Sequence, residues 1–450
     1  MTLLEALSRI DGARPAIIGP NGRHSFAELS DRARALMPEM EGARVVINST
    51  DLVQAIVVLA CADGIGEAVA LISPHHNSDV VVSLTKTIAP DVVLSDNPAA
   101  LFAAGLSVPA VTNPSELVEA LGRSARGTSD TTRWIITTSG TTSTPKLVEH
   151  SLASLTRTTR CDTERGHGQV WGVVYDYTRF AGLQVVLQSL LSGACLALPD
   201  HQADIETQLK FLADVGCTHI SATPTMWRKI LMTTMGPTLN LRQVTLGGEI
   251  ADNAILESLA RTYPNARISH IFASTEAGVG FSVSDRQAGF PIGYLTDPPS
   301  GIGLKIEADR LWVRNSEVGE AYLDGRGVLG NDGWVDTGDI VEKSGDRVYF
   351  KGRETGVINV GGNKVHPEVV ENAILAHPHI VMARVYAKAN PIMGAVVMAD
   401  IVPEPYAPQT IKQDLDAFLR ARIEKHMIPA LFRVSESFEV NSAGKVQRDS

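Results

Sequence analysis

Cysteine is scarce in this sequence and forms no pattern. The 450 residues include four cysteines, which lie far apart with no C-x-x-C pair: Cys61, Cys161, Cys195 and Cys217. Neither a disulfide scaffold nor a cysteine zinc site has such spacing. The distribution suits a reduced cytoplasm in which most of the thiols are buried.

An excess of positive charge and long apolar runs are also lacking. Forty Lys plus Arg against 50 Asp plus Glu give a net charge of −10, which argues against a general affinity for nucleic acid or an anionic membrane. Asp63 and Glu67 break the most apolar run, residues 53–72, so no membrane span is expected. Charged side chains interrupt the N-terminal segment where a secretion signal needs an apolar core. A cytoplasmic protein is therefore expected.

Short apolar strand patterns alternate with amphipathic helical patterns through most of the chain. In chain order, the first four are ARVVINS, LVQAIVVLACADG, EAVALIS and SDVVVSLTKTIA. This alternation predicts an α/β fold with largely parallel sheets, whose ligands bind at strand ends. Shorter β-like runs begin after about Gly301, and a compact region with two helices follows Gly356. A chain of this length is expected to form two or more cores.

A segment rich in hydroxyl groups, TTSGTTSTPKLVEHS at residues 137–151, contains a single lysine, Lys146. Glycine lets backbone N–H groups approach an anion, hydroxyls donate further hydrogen bonds, and lysine supplies a positive charge. The composition indicates phosphate binding, although the second glycine and the Lys-Ser/Thr pair of a P-loop are missing. The alternative is a surface loop of small residues.

Six segments, in the same order, resemble the superfamily of adenylate-forming enzymes, which comprises acyl-CoA synthetases, adenylation domains of peptide synthetases, and luciferases. They are TTSGTTSTPKLVEHS, GGE at 247–249, FASTE at 272–276, GWVDTGDI at 333–340, FKGRETGVINVGGNKVHPEVVE at 350–371 and NSAGKVQR at 441–448. The sequences of these segments most resemble those of free-standing acyl-CoA ligases. The resemblance implies a large multi-layer N-terminal domain, at 1–352, that binds ATP and acid. A small, mobile α+β lid domain is implied at 353–450.

The activity that the resemblance implies is ATP- and Mg²⁺-dependent activation of a small-molecule carboxylic acid. A carboxylate attacks the α-phosphorus of ATP, pyrophosphate leaves, and a thiol then cleaves the acyl-adenylate. CoA is the implied acceptor, and the phosphopantetheine arm of a separate carrier protein is the alternative. A further alternative, from another class, is a non-catalytic nucleotide-binding subunit with a regulatory or assembly role. The joint presence of Glu276, Asp339, Arg353 and Lys445 argues against that alternative.

The resemblance also assigns roles around the triphosphate. The β- and γ-phosphates and pyrophosphate are implied to contact Thr138, Ser139, Gly140, Thr141, Thr142 and Lys146. The adenine side and the strand before the metal-binding residue are implied to include Gly247, Gly248, Glu249, Phe272, Ala273 and Ser274. Thr275 would donate to the α-phosphate, and Glu276 would hold Mg²⁺. The alternative for this Thr-Glu pair is a helix start, with Thr as the cap.

Three further residues receive roles in the same way. Asp339 would accept hydrogen bonds from both ribose hydroxyls, and Arg353 would support the ribose and phosphate side. Their alternatives are turn chemistry in the TGD sequence and a surface ion pair. Lys445 would bridge the attacking carboxylate and the α-phosphate, with a solvated tail lysine as its alternative.

The position of this lysine in the C-terminal region implies that the region closes over ATP and later swings to a second orientation. Glu354 and Thr355 fall at the hinge, where the family usually has Asp or Lys, and Thr355 departs from that pattern.

The sequence NVGGNKVHPEVVE bears on the thiol acceptor. Gly361 and Gly362 would line a narrow path for the pantetheine arm, and Lys364 would meet a phosphate. The alternative is a tight turn before a helix that Pro367 opens, and the two interpretations are compatible.

Arg179, Gly182 and Ala273 are the implied acyl-pocket residues. In DYTRFAGLQ, Arg179 stands where the family often has histidine, and Ala273 replaces a usual glycine. Ala273 would narrow the pocket, and Arg179 would pair with a second anionic or polar group of the acid. The alternative places Arg179 in solvent or in a structural ion pair. A small or functionalised acid is therefore expected.

Overall fold

The strands and helices alternate along the chain as the sequence predicts. The structure is a computed structural model that describes residues 1–122, 131–138, 145–275, 277–314, 323, 333–390 and 393–438. The strands, numbered β1 to β24 in chain order, are Pro15–Gly19, Gly22–Ser25, Arg44–Asn48, Ala68–Leu71, Val92–Ser95, Ala110–Val111, Arg133–Thr137, Leu147–His150, Val170–Gly172, Cys195–Ala197, His219–Ala222, Gln243–Gly247, Arg267–Ser274, Gly278–Val283, Phe290–Pro291, Gly303–Glu307, Arg310–Arg314, Val335–Ser344, Arg347–Arg353, Ile358–Val360, Asn363–Val365, Ile380–Asn390, Gly394–Pro403 and Phe432–Val434.

Most of the α-helices begin at side-chain caps. Numbered α1 to α13, they are Leu3–Ser8, Phe26–Leu36, Leu52–Ala62, Ser78–Ile88, Pro98–Ala103, Pro114–Leu121, Leu152–Thr156, Phe180–Leu191, Ile205–Asp214, Pro224–Met232, Asn253–Thr262, Pro367–Leu375 and Ile411–Arg420. Asp51, Asn77 and Asp204 each accept a hydrogen bond from the third backbone N–H of the helix that follows. Such caps satisfy N–H groups that have no partner inside the helix. Helices α8, α12 and α13 have no side-chain cap.

Two largely parallel sheets form most of the N-terminal region. The six-stranded sheet has the order β6-β5-β3-β4-β7-β8, and the eight-stranded sheet has the order β14-β13-β12-β11-β9-β10-β1-β2. In each sheet the antiparallel partners are at an edge: β8 in the first, β2 and β14 in the second. Strands β4 and β5 are buried at every position, as expected for parallel strands covered on both faces. The predicted fold class is confirmed.

Two smaller sheets complete the described structure. An antiparallel sheet of order β15-β19-β18-β17-β16 follows the parallel sheets. The C-terminal sheet, β21-β20-β23-β22 with β24 beside β23, packs with α12 and α13 around its own apolar cluster. Every buried residue of that cluster lies between Ile358 and Phe432. A separate small core therefore exists, whereas the exact boundary at 352/353 remains a prediction.

The final helix is shorter than its sequence pattern. The sequence QTIKQDLDAFLRARIEKH predicts a helix to about His426, but α13 ends at Arg420, and a single 3-10 turn follows at Lys425–Met427. Three of the four thiols are buried, as expected, and Cys161 is exposed. None of the helices in the described ranges combines the length and apolar character that crossing a bilayer requires.

The two parallel sheets face each other through a shared apolar core and a few buried hydrogen bonds. The core joins Ile47 of β3 to Leu196 of β10. Ser73, after β4, donates to Asp176 Oδ2 at 2.6 Å, although Asp176 belongs to the other sheet's loop after β9. His150, the last residue of β8, lies 2.9 Å from the carbonyl oxygen of Thr275, after β13. Polar contacts thus fix the loops of one sheet against those of the other.

Asp63 links α1 to the core through buried hydrogen bonds. Its two carboxylate oxygens accept hydrogen bonds from the Leu3 N–H at 2.8 Å and from Trp134 Nε1 at 2.9 Å. An Asp63→Asn amide would oppose one of these donors with an NH₂ group. We expect a loss of about 1–3 kcal/mol in the free energy of unfolding, measured by urea denaturation. Asp31→Asn, at an exposed site on α2, should change it by less than about 0.5 kcal/mol. Equal losses in both variants would refute this role.

His150 should make stability depend on pH. Burial lowers the pKa of His150 to about 4, whereas an unfolded histidine titrates near about 6.5. Between these pH values the unfolded chain takes up a proton at His150 that the folded chain does not. The free energy of unfolding therefore falls as the pH is lowered. In His150→Gln this fall should be shallower by up to about 1.4 kcal/mol per pH unit.

Urea unfolding of the wild type and His150→Gln across the acid range measures the difference in slope. His167→Gln removes an exposed histidine and should keep the wild-type slope. Parallel curves for the wild type and His150→Gln would contradict the prediction.

Candidate active site

Most of the predicted site residues in the described ranges meet around one cavity of about 1420 Å³. The lining includes Thr138, Lys146, Arg179, Gly247, Gly248, Glu249, Phe272, Ala273, Ser274, Thr275, Asp339 and Arg353. These residues come from strands and loops of three sheets. The cavity lies beyond the carboxyl ends of β7, β12 and β13, the edge at which parallel sheets bind ligands.

The phosphate segment is described at its two ends. Thr138 N–H donates to the Lys146 carbonyl at 2.8 Å and closes the base of the loop between β7 and β8. The hydroxyls of Thr137 and Thr138 are buried and have no hydrogen-bond partner in the described structure. Both residues line the cavity, so their hydroxyls are available to a ligand. The loop residues Ser139, Gly140, Thr141 and Thr142 lie outside the described residues.

The GGE segment turns sharply at the end of β12. Gly248 has φ +81°, a conformation that favours glycine. Glu249 Oε2 accepts a hydrogen bond from the Thr225 N–H at 3.0 Å, in the first turn of α10, where a carboxylate is stabilised. Tyr175 donates to the Gly247 carbonyl at 3.3 Å. Glu249 therefore holds the loop, and the backbone of the two glycines borders the cavity.

The FASTE segment ends one strand and turns into the next. Phe272 stacks on Phe281 and on Phe350, with ring centroids 5.3 Å apart in both pairs. Ser274 Oγ accepts a hydrogen bond from the Ala277 N–H at 2.9 Å across the turn between β13 and β14. Thr275 therefore lies between two antiparallel strands, and the alternative of a helix start is wrong. Glu276 lies outside the described residues.

Asp339 and Arg353 face each other across β18 and β19. They are partners in the antiparallel register, and Arg353 Nε lies 3.2 Å from Asp339 Oδ1. The Asp339 side chain is 14% exposed and that of Arg353 is 56% exposed. Turn chemistry is also present, since the Gly338 N–H donates to Asp336 Oδ1 at 2.9 Å. The ion pair and the turn thus hold Asp339 at the cavity wall.

The three predicted acyl-pocket residues have different positions. Arg179 precedes the first residue of α8 without a side-chain capping bond, and it lines the cavity with a side chain that is 13% exposed, so it does not point into solvent. Ala273 is half-buried and also lines the cavity. The prediction that Gly182 lines the acyl pocket is not met, because Gly182 is buried inside α8 and does not line the described cavity. A methyl group there would come within 2.3 Å of the Asp176 carbonyl oxygen. Gly182 thus allows α8 to pack on the Asp176 loop.

The predicted pantetheine residues lie in the C-terminal sheet and away from the described cavity lining. Gly361 and Gly362, with φ +59° and +91°, form the turn between β20 and β21. Lys364 is exposed on β21. The predicted tight turn before α12 is confirmed. Thr355 is exposed in the short turn Glu354–Gly356, and Lys445 lies outside the described residues.

Sequence reasoning missed three residues that organise the site. His150 stands within the phosphate segment and carries the bond to Thr275 described above, and its ring lies 6.0 Å from that of Phe180. Because a carbonyl oxygen only accepts, neutral His150 must carry its proton on Nε2. Asp176 and His76 contact Arg179. The Asp at three residues before Arg179 was a visible signal, whereas nothing local indicated His76 or the long-range partner of His150.

Two named proteins are similar to this chain in sequence. The 2-succinylbenzoate--CoA ligase of Bacillus velezensis is 27% identical over 343 residues, which cover 71% of this chain and 68% of that protein. The dimodular nonribosomal peptide synthase of Bacillus subtilis is 23% identical over an alignment of 501 positions that covers 96% of this chain. The match spans 21% of that much longer protein.

Solved structures share the fold at low sequence identity. The anthranilate CoA ligase AuaEII, in complex with anthranoyl-AMP, aligns with a TM-score of 0.82 at 13% identity and covers 100% of this chain and 96% of that chain. The o-succinylbenzoate CoA synthetase MenE of Bacillus subtilis aligns with a TM-score of 0.76 at 19% identity, over 99% and 97% of the two chains.

Family models match both parts of the chain. The model described as AMP-binding enzyme C-terminal domain matches residues 369–445. The model described as AMP-binding enzyme matches residues 5–330, well over half of the sequence. The predicted resemblance and enzyme class are thereby confirmed, and this chain belongs to the AMP-binding enzyme family.

Proposed function

We propose that this protein is an ATP- and Mg²⁺-dependent acid–thiol ligase that forms an acyl-adenylate and transfers the acyl group to CoA. The observation that carries the proposal is the single cavity that gathers Thr138, Lys146, Thr275, Asp339 and Arg353 from distant parts of the chain. A site built from hydroxyls, a lysine and a buried carboxylate matches the triphosphate and ribose of ATP.

The first step concentrates negative charge at the α-phosphate. A carboxylate oxygen of the acid attacks the α-phosphorus, the bond to the β-phosphate oxygen breaks, and pyrophosphate leaves. The buried hydroxyls of Thr137 and Thr138 and the ammonium of Lys146 would stabilise the leaving pyrophosphate. Thr275 would donate to the α-phosphate, and His150 would keep that residue in place through its carbonyl. Asp339 would accept hydrogen bonds from the ribose.

The residues present are compatible with Mg²⁺ bound together with nucleotide. Within the described ranges no cluster of three or more His, Cys, Asp and Glu is arranged to hold a metal ion. Mg²⁺ in nucleotide enzymes is ordinarily held by one or two carboxylates together with substrate phosphates, so such a cluster is not required. Glu276 would be the carboxylate ligand. When bound, the ion neutralises phosphate charge during the transfer.

The second step consumes a thiol. The sulfur attacks the acyl carbonyl, the bond between that carbon and the phosphate oxygen breaks, AMP leaves, and the thiol proton is released. We assign the domains as 1–352 and 353–450, with the smaller one acting as a lid that brings Lys445 to the first step and swings for the second. Gly361, Gly362 and Lys364 would then border the pantetheine path.

A separate carrier protein is the second candidate acceptor. The match to the dimodular nonribosomal peptide synthase, which extends over 96% of this chain, favours it, because that protein is named for peptide synthesis. A non-catalytic nucleotide-binding subunit is the remaining alternative. The same assay separates all three.

Pyrophosphate release is the first test. With ATP, Mg²⁺ and a panel of carboxylic acids, we expect acid-dependent release that accelerates with CoA, stops with EDTA and returns with added Mg²⁺. Release that requires an acid but ignores CoA would favour a carrier protein. Nucleotide binding without release, with any acid, would contradict the ligase proposal.

Lys445→Ala tests the proposed catalytic lysine. Removing one group that stabilises transition-state charge should slow adenylate formation about 10²–10³-fold, while the dissociation constant for ATP stays within a few-fold. The measurement is the exchange of labelled pyrophosphate into ATP. Lys412→Ala, an exposed lysine on α13, should behave as the wild type. Unchanged exchange in Lys445→Ala would refute the role.

A further inference from the structure

Arg179 has unused hydrogen-bonding capacity inside the cavity. Its Nη2 lies 3.2 Å from His76 Nε2. Its Nε and Nη1 are buried and have no hydrogen-bond partner among the described residues. These two nitrogens carry more than half of the N–H bonds of a guanidinium group. Buried donors are almost always paired in folded proteins, so the unpaired ones indicate a missing ligand.

The neighbouring carboxylate does not use these donors. Asp176 Oδ2 accepts from Ser73 at 2.6 Å, and Oδ1 accepts from the hydroxyl and N–H of Thr178 at 2.6 and 2.9 Å. Asp176 remains 3.8 Å from Arg179 Nε, which is beyond hydrogen-bond distance. Asp176 therefore moderates the charge of Arg179 but leaves its N–H groups available.

His76 does not compete as a second cation. Burial and the nearby Arg179 lower the pKa of His76, so the imidazole is neutral near pH 7 and accepts the hydrogen bond from Nη2. The guanidinium is thus oriented by His76 on one side and by the charge of Asp176 on the other. A group held in this way is prearranged for a ligand.

The arginine is linked to the turn that contains Thr275 through the next residue in the chain. Phe180, the next residue, packs its ring 6.0 Å from that of His150, and His150 bonds the Thr275 carbonyl. Polar side chains, among them Gln188 and Ser221, line the same cavity.

We propose that Arg179 binds a second carboxylate of the acid substrate, so that the preferred substrates are dicarboxylic acids. This inference rests on the proposed function for its place in the reaction. A carboxylate is the group that an unpaired guanidinium binds best, through charge-assisted hydrogen bonds. The other end of the diacid is left for adenylation.

Matched pairs of acids test the proposal on the intact protein. Each straight-chain monocarboxylic acid is compared with the α,ω-dicarboxylic acid of the same length in the pyrophosphate assay. For the wild type, kcat/KM should be at least about tenfold higher for the diacid. Arg179→Gln should lower the diacid value about 10- to 100-fold and change the monoacid value less than about threefold. Arg179→Lys should lie between, and Arg34→Gln, at an exposed site on α2, should match the wild type.

Two patterns would overturn the inference. Equal losses for both acids would mean that Arg179 contacts the reacting carboxylate or a phosphate. No change for either acid would mean that the arginine is structural. ATP binding verifies that each variant is folded, and Arg179→Lys carries the test if Arg179→Gln does not fold.

A binding measurement separates this inference from the proposed function. In the presence of AMP, a dicarboxylate should raise the thermal midpoint of the wild type but not that of Arg179→Gln, and the monoacid should raise it in neither. If the dicarboxylate raises the thermal midpoint but no acid causes pyrophosphate release, the anion site at Arg179 is supported and the ligase proposal is contradicted. Acid-dependent release with neither a dicarboxylate preference nor a shift in the thermal midpoint would support the ligase proposal and contradict the inference about Arg179.

Discussion

The structure of the site depends on how the two parallel sheets are held face to face. A single apolar core spans both sheets, and the loops at their carboxyl ends are fixed by a small number of buried polar contacts. Tyr177, in a loop of one sheet, donates to the backbone carbonyl of Ser49 in a loop of the other, and Ser73 donates to the side-chain carboxylate of Asp176. Because apolar packing has no direction of its own, these hydrogen bonds define which loops meet.

His150 shows how this arrangement reaches the reaction centre. It ends the antiparallel edge strand of one sheet and holds the turn that follows β13 in the other. The turn contains Thr275 and precedes Glu276, so the proposed α-phosphate and metal contacts inherit their position from a contact between sheets. A buried neutral imidazole suits this purpose, because it donates to a carbonyl without bringing a charge into the core.

The junction with the C-terminal sheet places a second constraint on the site. Gly352 has φ +135°, and a methyl group there would come within 2.3 Å of Glu368 Oε2. Helix α12 therefore lies directly against the end of β19, one residue before Arg353. Gly352 and Glu368 lie on opposite sides of the proposed boundary at 352/353, so the proposed swing of the small domain would have to break this contact. Under the same proposal Thr355, which departs from the family pattern, lies in the short turn Glu354–Gly356 that joins the two parts.

Family membership alone says least about the part of the cavity that binds the acid. Relatives are named for aromatic acids and for peptide synthesis, and their breadth leaves the substrate of this chain open. Arg179, with its orphaned N–H groups beside Asp176, gives a specific chemical reason to expect an anionic second group. A side chain that is nearly buried and incompletely paired is costly to keep unless a ligand completes it.

Much of the fold and of the nucleotide side was determined by the sequence alone. Alternating apolar strand patterns and amphipathic helical patterns predicted the parallel sheets, because hydrophobic periodicity is a local property. The ATP-side motifs could be recognised for the same reason, since each is one short run of consecutive residues. The tertiary structure decided what depends on contacts between distant residues: that Thr275 lies in a strand turn, that Gly182 packs α8 instead of lining the pocket, and that Arg179 faces the cavity beside His76 and Asp176. Residues 76 and 179 are far apart in the chain and on different sheets, so no local pattern could bring them together.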